Sequence, residues 1–202
     1  MLNFFEHEGP ESGPPLLIAH GLYGSARNWG VISKRVSKSR RVIAVDHRNH
    51  GASPWFDTNS YEDLAEDLAE VIGYVGGPCD VIGHSMGGKA AMMLAHAYPN
   101  LVNSLCIADI APVSYSHDQT KFINAMKAVD LSVVKTRADV KVQLSRLVED
   151  EQLQNFFTQA VDVQAQSWRL NLDILSSEMS KIIGFPDLNT SFEGPSLFLS
   201  GA

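Results

Sequence analysis

Cysteines, long apolar runs and excess positive charge are scarce in this 202-residue sequence, and each scarcity excludes a class of protein. Its only two cysteines, Cys79 and Cys106, lie in predicted buried strands, which favours reduced core thiols over a disulfide. No apolar run approaches the roughly 18 residues that a membrane-spanning helix needs. The N-terminus lacks the cationic start and apolar run of a signal peptide. These absences predict a cytoplasmic protein without a membrane span.

The charge pattern and the spacing of metal-binding residue types exclude further classes. The net charge is −7, both signs are interspersed, and no basic stripe is present, which disfavours a nucleic-acid partner. No Cys/His cluster has the spacing of metal ligands, and the sequence predicts neither a metal nor an organic cofactor. Hydrophobic residues make up 45% of the chain, enough for a full core. This composition is compatible with a monomer or a homodimer.

The feature that organises the chain is the pentapeptide at residues 83–87, which has the form G-x-S-x-G. A short apolar strand at 79–82 leads into it, and a run of good helix formers at 88–95 follows. Between a strand and a helix this pattern is typical of a nucleophile elbow, in which the serine stands exposed above a sheet. The glycines let the backbone close tightly, and the helix N-terminus favours developing negative charge. Ser85 is therefore the predicted nucleophile.

Strands and helices alternate through the first half of the chain. Continuous apolar runs at 15–20 and 41–46 predict strands buried on both faces of a parallel sheet. A further strand is predicted at 101–108, after the helix that follows Ser85. The alternation predicts the α/β class, with a mostly parallel sheet, right-handed crossovers and helices on both faces.

The pattern of the sequence changes after the predicted strand at 101–108. Residues 118–183 carry apolar stripes at helical spacing and no convincing strand, which predicts four short amphipathic helices, the last one over 168–182. An apolar run at 195–200 predicts a return to the sheet. We therefore divide the chain into a core, a helical cap or lid, and a return to a core that is incomplete at its C-terminus: residues 1–112, 113–190 and 191–202.

An activated serine needs an oxyanion hole, an orienting acid and a base. One oxyanion donor should be the backbone N–H of Met86, the residue after the nucleophile, and the loop after an earlier strand offers the N–H of Leu22 as the second. Asp109 ends the strand after the elbow helix, at the sheet edge where ligands of α/β proteins collect, and it is the leading candidate acid. Asp46 also ends a strand, but it precedes the elbow, and we interpret it as organising the loop at 46–54.

The base is not evident among the seven histidines. In sites of this type the order along the chain is serine, acid, histidine, and only His117 follows Ser85 outside the elbow helix. His117 opens the predicted lid and is a poor candidate. We therefore expect the base to lie beyond Ala202. The other histidines precede the elbow, adjoin Ser85 or lie in the elbow helix: His7, His20, His47, His50, His84 and His96.

Three motifs together resemble the α/β-hydrolase superfamily: His20-Gly21-Leu22-Tyr23-Gly24-Ser25, Asp46-x-Arg48-Asn49-His50-Gly51-x-Ser53-Pro54 and Gly83-His84-Ser85-Met86-Gly87-Gly88-Lys89. Two further motifs narrow the resemblance to small esterases of the YbfF type: Asp109-Ile110-Ala111-Pro112 and Trp168-Arg169-Leu170-Asn171. The resemblance extends over all 202 residues and stops before the last strand and the histidine loop of such a protein. It implies the α/β-hydrolase fold, hydrolysis of acyl esters or thioesters by Ser85 through an acyl-enzyme, and Asp109 as the acid.

The leading hypothesis is a serine esterase whose substrate is a small or medium acyl ester or thioester. Aromatic residues of the oxyanion loop and the lid are candidates for the acyl pocket: Tyr23, Phe122, Phe156, Phe157 and Trp168. A carbon–carbon bond hydrolase or an acyltransferase is an alternative that the residues do not separate, because one triad serves all three reactions. A non-catalytic binding protein is the alternative of another class, and it applies if the natural chain ends at Ala202.

Overall fold

The computed structural model describes residues 1–116 and 119–201, and His117 lies outside the described residues. The strands of the described residues are β1 (Phe4–His7), β2 (Leu16–Ala19), β3 (Val42–Val45), β4 (Cys79–His84), β5 (Val102–Ala108), β6 (Val161–Asp162), β7 (Ser167–Trp168) and β8 (Ser196–Leu199). Six of them form one sheet in the order β1-β3-β2-β4-β5-β8. Every neighbouring pair is parallel except β1 with β3. The mostly parallel sheet predicted from the sequence is confirmed.

The α-helices of the described residues are α1 (Gly30–Val36), α2 (Tyr61–Val75), α3 (Met86–Ala97), α4 (Thr120–Lys127), α5 (Arg137–Leu144), α6 (Glu151–Thr158), α7 (Leu172–Ser177) and α8 (Met179–Ile183). Helices α1 to α3 alternate with the strands of the sheet, whereas α4 to α8 all lie in the chain between β5 and β8. None of the helices in the described ranges is long and apolar enough to cross a membrane. The division of the chain at residues 112 and 190 stays a prediction.

The sheet separates two apolar layers, because successive side chains of a strand point to opposite faces. Leu17 and Ile43 face a large cluster that includes α2 and α3, and their strand neighbours Ile18 and Ala44 face a smaller one against Val36 of α1. All four residues of β2 and all four of β3 are buried. Both strands are covered on both faces, as their continuous apolar runs predict.

A short hairpin in the segment between β5 and β8 departs from the sequence prediction, which places no strand there. Strands β6 and β7 pair antiparallel. The carboxylate of Asp162 accepts hydrogen bonds from the backbone N–H groups of Gln164 and Ala165, at 3.1 and 3.0 Å. Gln166 then adopts a φ of 50°. An Asx-type turn followed by a left-handed residue reverses the chain, which explains why a helix does not form here.

The fourth helix predicted for this segment is wrong in its start and in its continuity. Trp168 belongs to β7, not to a helix. The side chain of Asn171 accepts a hydrogen bond from the backbone N–H of Ile174, so that it caps α7, which begins only at Leu172. A second short helix, α8, follows after Glu178. The apolar spacing that predicts one helix is therefore shared by a strand and two helices.

Candidate active site

Ser85 occupies a strained turn between β4 and α3. Its φ of 51° and ψ of −119° lie in a region that residues with a side chain rarely adopt. The turn is crowded by backbone: a Cβ on Gly83 would lie 2.3 Å from the carbonyl oxygen of Gly87, and one on Gly87 would lie 2.4 Å from those of Ala19 and His20. Both glycines are thus required because no side chain fits, and the serine is held at the C-terminal edge of the sheet.

A cavity of about 440 Å³ opens beside Ser85. Its volume lies in the range of about 300–1,000 Å³ that is usual for small-molecule sites. Four of the five aromatic residues predicted for an acyl pocket line this cavity: Tyr23, Phe122, Phe156 and Phe157. Trp168 is not among the residues that line it. The hairpin places Trp168 in β7, where the ring is partly buried against the main core.

The aromatic wall of the cavity is centred on Phe157, of which only 1% is exposed. The ring of Phe157 lies 5.6 Å from Tyr23 in an edge-to-face arrangement, 5.4 Å from Phe122 and 5.9 Å from Phe156, measured between centroids. Aromatic pairs at these separations stabilise each other beyond the area they bury. The wall next to Ser85 is therefore apolar and made of rings that support one another.

The two predicted oxyanion donors, Leu22 and Met86, both line the cavity together with Ser85. Met86 is the first residue of α3, so its N–H belongs to the unpaired donors at the start of a helix. In the part of the chain that the structure describes, neither backbone N–H has a protein acceptor. Two free donors beside a nucleophile are what an oxyanion hole requires.

Asp109 follows β5 directly, with a φ of 57°, and it is exposed. Its backbone N–H donates a hydrogen bond of 2.8 Å to the carbonyl oxygen of Leu199 in β8. This contact fixes Asp109 at the same sheet edge as Ser85, because β4 and β5 are parallel neighbours. Within residues 1–116 and 119–201, no hydrogen bond joins the side chain of Ser85 or of Asp109 to a histidine.

Three buried histidines lie near the cavity, of which His20 lines it, and burial lowers the pKa of each. His20, His47 and His50 are at most 1% exposed. Burial is the main cause of the lowered pKa of His20 and of His47, and it lowers the pKa of His50 to about 3. These imidazoles are therefore neutral near pH 7. His84 also lines the cavity, with its ring against Trp29 at 6.4 Å between centroids.

The loop that contains Asp46 is held by that carboxylate, in agreement with the sequence interpretation. Its oxygens accept hydrogen bonds from the backbone N–H groups of Ala26 and Ala52, at 2.7 and 2.9 Å. The side-chain amide of Asn3 donates a third, at 2.8 Å. Asp46 thus has a supporting role at the end of β3, two strands away from β4 and Ser85.

Lys89 is a cavity residue that the sequence interpretation does not assign. Its side chain is only 1% exposed, and its Nζ donates hydrogen bonds to the carbonyl oxygens of Ile183 and Gly184, at 2.9 and 2.7 Å. Burial lowers its pKa to about 8. A signal was present in the sequence, because Lys89 follows Ser85 by four residues and so shares its face of the helix.

The described residues contain no group of three or more His, Cys, Asp or Glu side chains that could hold a metal ion. The chemistry available around the cavity is thus a strained serine, two free backbone donors and a carboxylate at the sheet edge. Comparison with known proteins places this arrangement in a family. The model of the alpha/beta hydrolase family matches residues 16–192. The chain belongs to the alpha/beta hydrolase family.

Individual relatives within the alpha/beta hydrolase family agree with this. The chain is 37% identical to the sn-1-specific diacylglycerol lipase ABHD11 of Danio rerio, with 100% of this chain and 67% of the relative covered. It is 31% identical to esterase YbfF of Escherichia coli strain K12, with 96% and 76% covered. A solved marine microorganism esterase superposes with a TM-score of 0.90 at 38% identity, covering 100% of this chain and 81% of that one.

The resemblance to α/β hydrolases and to YbfF-type esterases that the motifs indicate is confirmed by these similarities. The fold class is confirmed as well. The protein is an esterase- or lipase-like hydrolase of this family. The chain spans about two thirds of the length of the diacylglycerol lipase that it matches.

Proposed function

We propose that the protein is a serine esterase that hydrolyses small or medium acyl esters or thioesters through an acyl-enzyme on Ser85. The observation that carries this proposal is the position of Ser85 at a strained strand-to-helix turn that opens on an apolar cavity of about 440 Å³. A serine held in this way cannot relax away from a bound carbonyl carbon. The esterase and lipase names of the relatives support an acyl ester as the substrate class.

The oxyanion of the tetrahedral intermediate is assigned to the backbone N–H groups of Leu22 and Met86. Both residues line the cavity with Ser85. Preorganised donors of this kind stabilise the charge that develops only in the transition state, and loss of one donor typically lowers the rate by about 100- to 1,000-fold. The free state of both N–H groups supports the assignment, because a donor already paired within the protein could not serve the substrate.

Asp109 is assigned as the acid that orients the catalytic histidine. Its place after β5, at the edge where β4 ends in Ser85, supports this assignment. The base itself is assigned to a histidine outside residues 1–202. The buried histidines His20 and His50 already use their ring nitrogens on backbone groups. Neither has a free nitrogen that could take a proton from Ser85.

The apolar cavity is assigned to the acyl chain, with Tyr23, Phe122, Phe156 and Phe157 as its wall. The segment between β5 and β8 supplies three of these four rings, and this supports its function as a cap over the site. Burial of each acyl methylene against such a wall contributes about 0.8 kcal/mol of binding free energy. Affinity should therefore rise with acyl length until the cavity is full.

The experiment that tests the proposal measures turnover of a p-nitrophenyl ester by the full-length protein and its Ser85→Ala variant. We expect the variant to lose the reaction, and mass spectrometry of the unsubstituted protein to detect an acyl adduct on the peptide that contains Ser85. Ser177→Ala, an exposed serine of α7, is the matched control. Turnover that survives Ser85→Ala would contradict the proposal.

The same assay tests the acid. Asp109→Asn should lower kcat by roughly 10,000-fold, the effect typical of an amide in place of the orienting carboxylate. The fold should be unaffected, because the side chain is exposed. A rate near that of the unsubstituted protein would assign the acid to another residue and leave Ser85 in place.

A further inference from the structure

The loop that follows β2 has a conformation that must be held in place. Tyr23, directly after the proposed oxyanion donor Leu22, has a φ of 64°, which lies in the left-handed region that side chains disfavour. A residue other than glycine keeps this conformation only where the surroundings impose it. The direction of the Leu22 N–H depends on this backbone, so the contacts that impose it bear on catalysis.

His50 makes two hydrogen bonds, both to backbone groups. Its Nδ1 lies 2.8 Å from the carbonyl oxygen of Arg48, and its Nε2 lies 3.3 Å from the backbone nitrogen of Tyr23. A carbonyl oxygen only accepts and a backbone N–H only donates. The proton of the neutral ring is therefore on Nδ1, and the lone pair of Nε2 receives the Tyr23 N–H. The partners leave one tautomer and one orientation for this imidazole.

The surroundings of His50 keep the ring neutral and fixed. The side chain is fully buried, with His20 at 5.2 Å between ring centroids, and its pKa is lowered to about 3. Its backbone pairs with that of Leu170 in an isolated bridge, and the next residue, Gly51, donates a hydrogen bond of 2.8 Å to the carbonyl oxygen of Arg169. An acceptor lone pair is therefore presented to Tyr23 throughout the neutral pH range.

His20 holds the other side of the same loop. Its Nδ1 donates to the carbonyl oxygen of Gly21 at 2.8 Å, and its Nε2 accepts from the backbone N–H of His47 at 3.0 Å. The peptide groups before and after Leu22 are thus each tied to a buried neutral imidazole. The Leu22 N–H belongs to the first of these groups, the Gly21–Leu22 peptide, and it keeps no protein partner within the described residues.

We propose that His50 is a positioning residue of the oxyanion hole, whose Nε2 lone pair holds the Tyr23 N–H and thereby directs the Leu22 N–H at the developing oxyanion. This inference rests on the proposed function, since it takes Leu22 as an oxyanion donor. It goes beyond it by assigning a role in transition-state stabilisation to a side chain that does not line the cavity. His50 acts through the loop and does not touch the substrate.

Two substitutions separate the two hydrogen bonds of His50. The side chain of Asn reaches the position of Nδ1, so His50→Asn keeps the donor to Arg48 and removes the acceptor for Tyr23. The side chain of Gln reaches the position of Nε2, so His50→Gln restores an acceptor oxygen for Tyr23 and removes the donor to Arg48. Each variant loses one of the two backbone hydrogen bonds, and a purely structural role predicts similar effects for both.

In the full-length protein, His50→Asn should lower kcat for a p-nitrophenyl ester by about 10- to 100-fold and change KM less than about two-fold, since only the transition state carries the oxyanion. Affinity for a trifluoromethyl ketone, which forms a charged tetrahedral adduct, should fall in parallel with kcat/KM. His50→Gln should recover most of the lost kcat. His7→Asn, in β1, is the matched histidine control. Nitrogen-15 shifts of the unsubstituted protein should identify His50 as the Nδ1–H tautomer.

The positioning role is overturned if His50→Asn turns over the ester like the unsubstituted protein, if His50→Gln is as slow as His50→Asn, or if kcat and thermal stability fall together in both variants. The proposed function itself would be contradicted by the Ser85→Ala variant and not by the His50 variants. Turnover that persists in Ser85→Ala would show that the assayed reaction does not use this site. The two failures are therefore distinguishable in one set of variants.

Discussion

The turn that contains Ser85 borders the same cavity as the segment between β5 and β8. The two are held in place in different ways. The turn is fixed by backbone contact, because neither Gly83 nor Gly87 has room for a Cβ. The segment is attached to the core by backbone pairing of His50 with Leu170, by apolar packing and by side-chain hydrogen bonds. The hydroxyl of Tyr61 donates to the carbonyl oxygen of Ile182, and Nζ of Lys89 donates to the next two carbonyls.

The difference teaches which part of the site can vary. At the turn, no larger residue can replace Gly83 or Gly87 through a small adjustment, because even an added methyl group requires the backbone itself to move. The attachments of the segment can be exchanged one at a time: Asn28 binds Gln159 through exposed side chains, and Asn49 binds Asn171. The geometry at Ser85 can therefore stay constant while substitutions in the segment change the lining of the cavity.

The largest effect is expected from Gly87→Ala. The new Cβ would lie 2.4 Å from two backbone carbonyl oxygens, so β2 and α3 would have to separate. We expect a loss of more than about 4 kcal/mol of unfolding free energy, or no soluble protein. Thermal unfolding of purified protein is the measurement.

Gly73→Ala in α2 is the matched control, because its Cβ would meet no atom within 4 Å. Alanine is the better helix former by up to about 1 kcal/mol, so this variant should be as stable as the unsubstituted protein or more so. If Gly87→Ala unfolds like Gly73→Ala, the turn is not fixed by backbone contact.

A smaller effect is expected from Lys89→Met, which removes both hydrogen bonds to the end of α8 and keeps an unbranched apolar stem. The partly buried carbonyl of Gly184 loses its Lys89 donor, that of Ile183 keeps the backbone N–H of Tyr115, and the cost of burying a charge disappears. We expect the unfolding free energy in urea to fall by about 1–3 kcal/mol. Tyr61→Phe removes only one hydrogen bond and should cost less. A loss from Tyr61→Phe that exceeds the loss from Lys89→Met would contradict this account of the attachment.

The pH dependence of the same attachment is expected to be about as large as the effect of Lys89→Met. The pKa of Lys89 is 10.5 in the unfolded chain and about 8 in the folded protein. Between these values the unfolded state binds more protons, so stability from this group rises with pH. The difference in unfolding free energy between the unsubstituted protein and Lys89→Met should therefore increase from pH 7 to pH 10. A difference that stays flat or decreases would mean that Lys89 keeps its charge on folding.

Strands and turns whose conformation is decided by residues close together in the chain were predictable from the sequence. The run at 15–20 is apolar throughout because both faces of β2 are covered, and Gly83 is required within the turn itself, whereas Gly87 is required by the carbonyls at the end of β2. Trp168 shows that the spacing of apolar residues does not always predict the secondary structure. Its spacing to the residues that follow fits a helix, but the turn made by Asp162 overrides that pattern and places it in a strand.

By itself, the sequence determined the strained position of Ser85 and the place of Asp109 after β5, because each depends on a local pattern of residues. It also determined the α/β class and the family resemblance, because each is a series of such local patterns in a fixed order along the chain. Only the tertiary structure decided which side chains meet around the cavity. His50 contacts Tyr23, and Lys89 contacts Ile183 and Gly184, across long separations in the chain. Such contacts depend on how strands, helices and loops pack in three dimensions, and no local pattern encodes them.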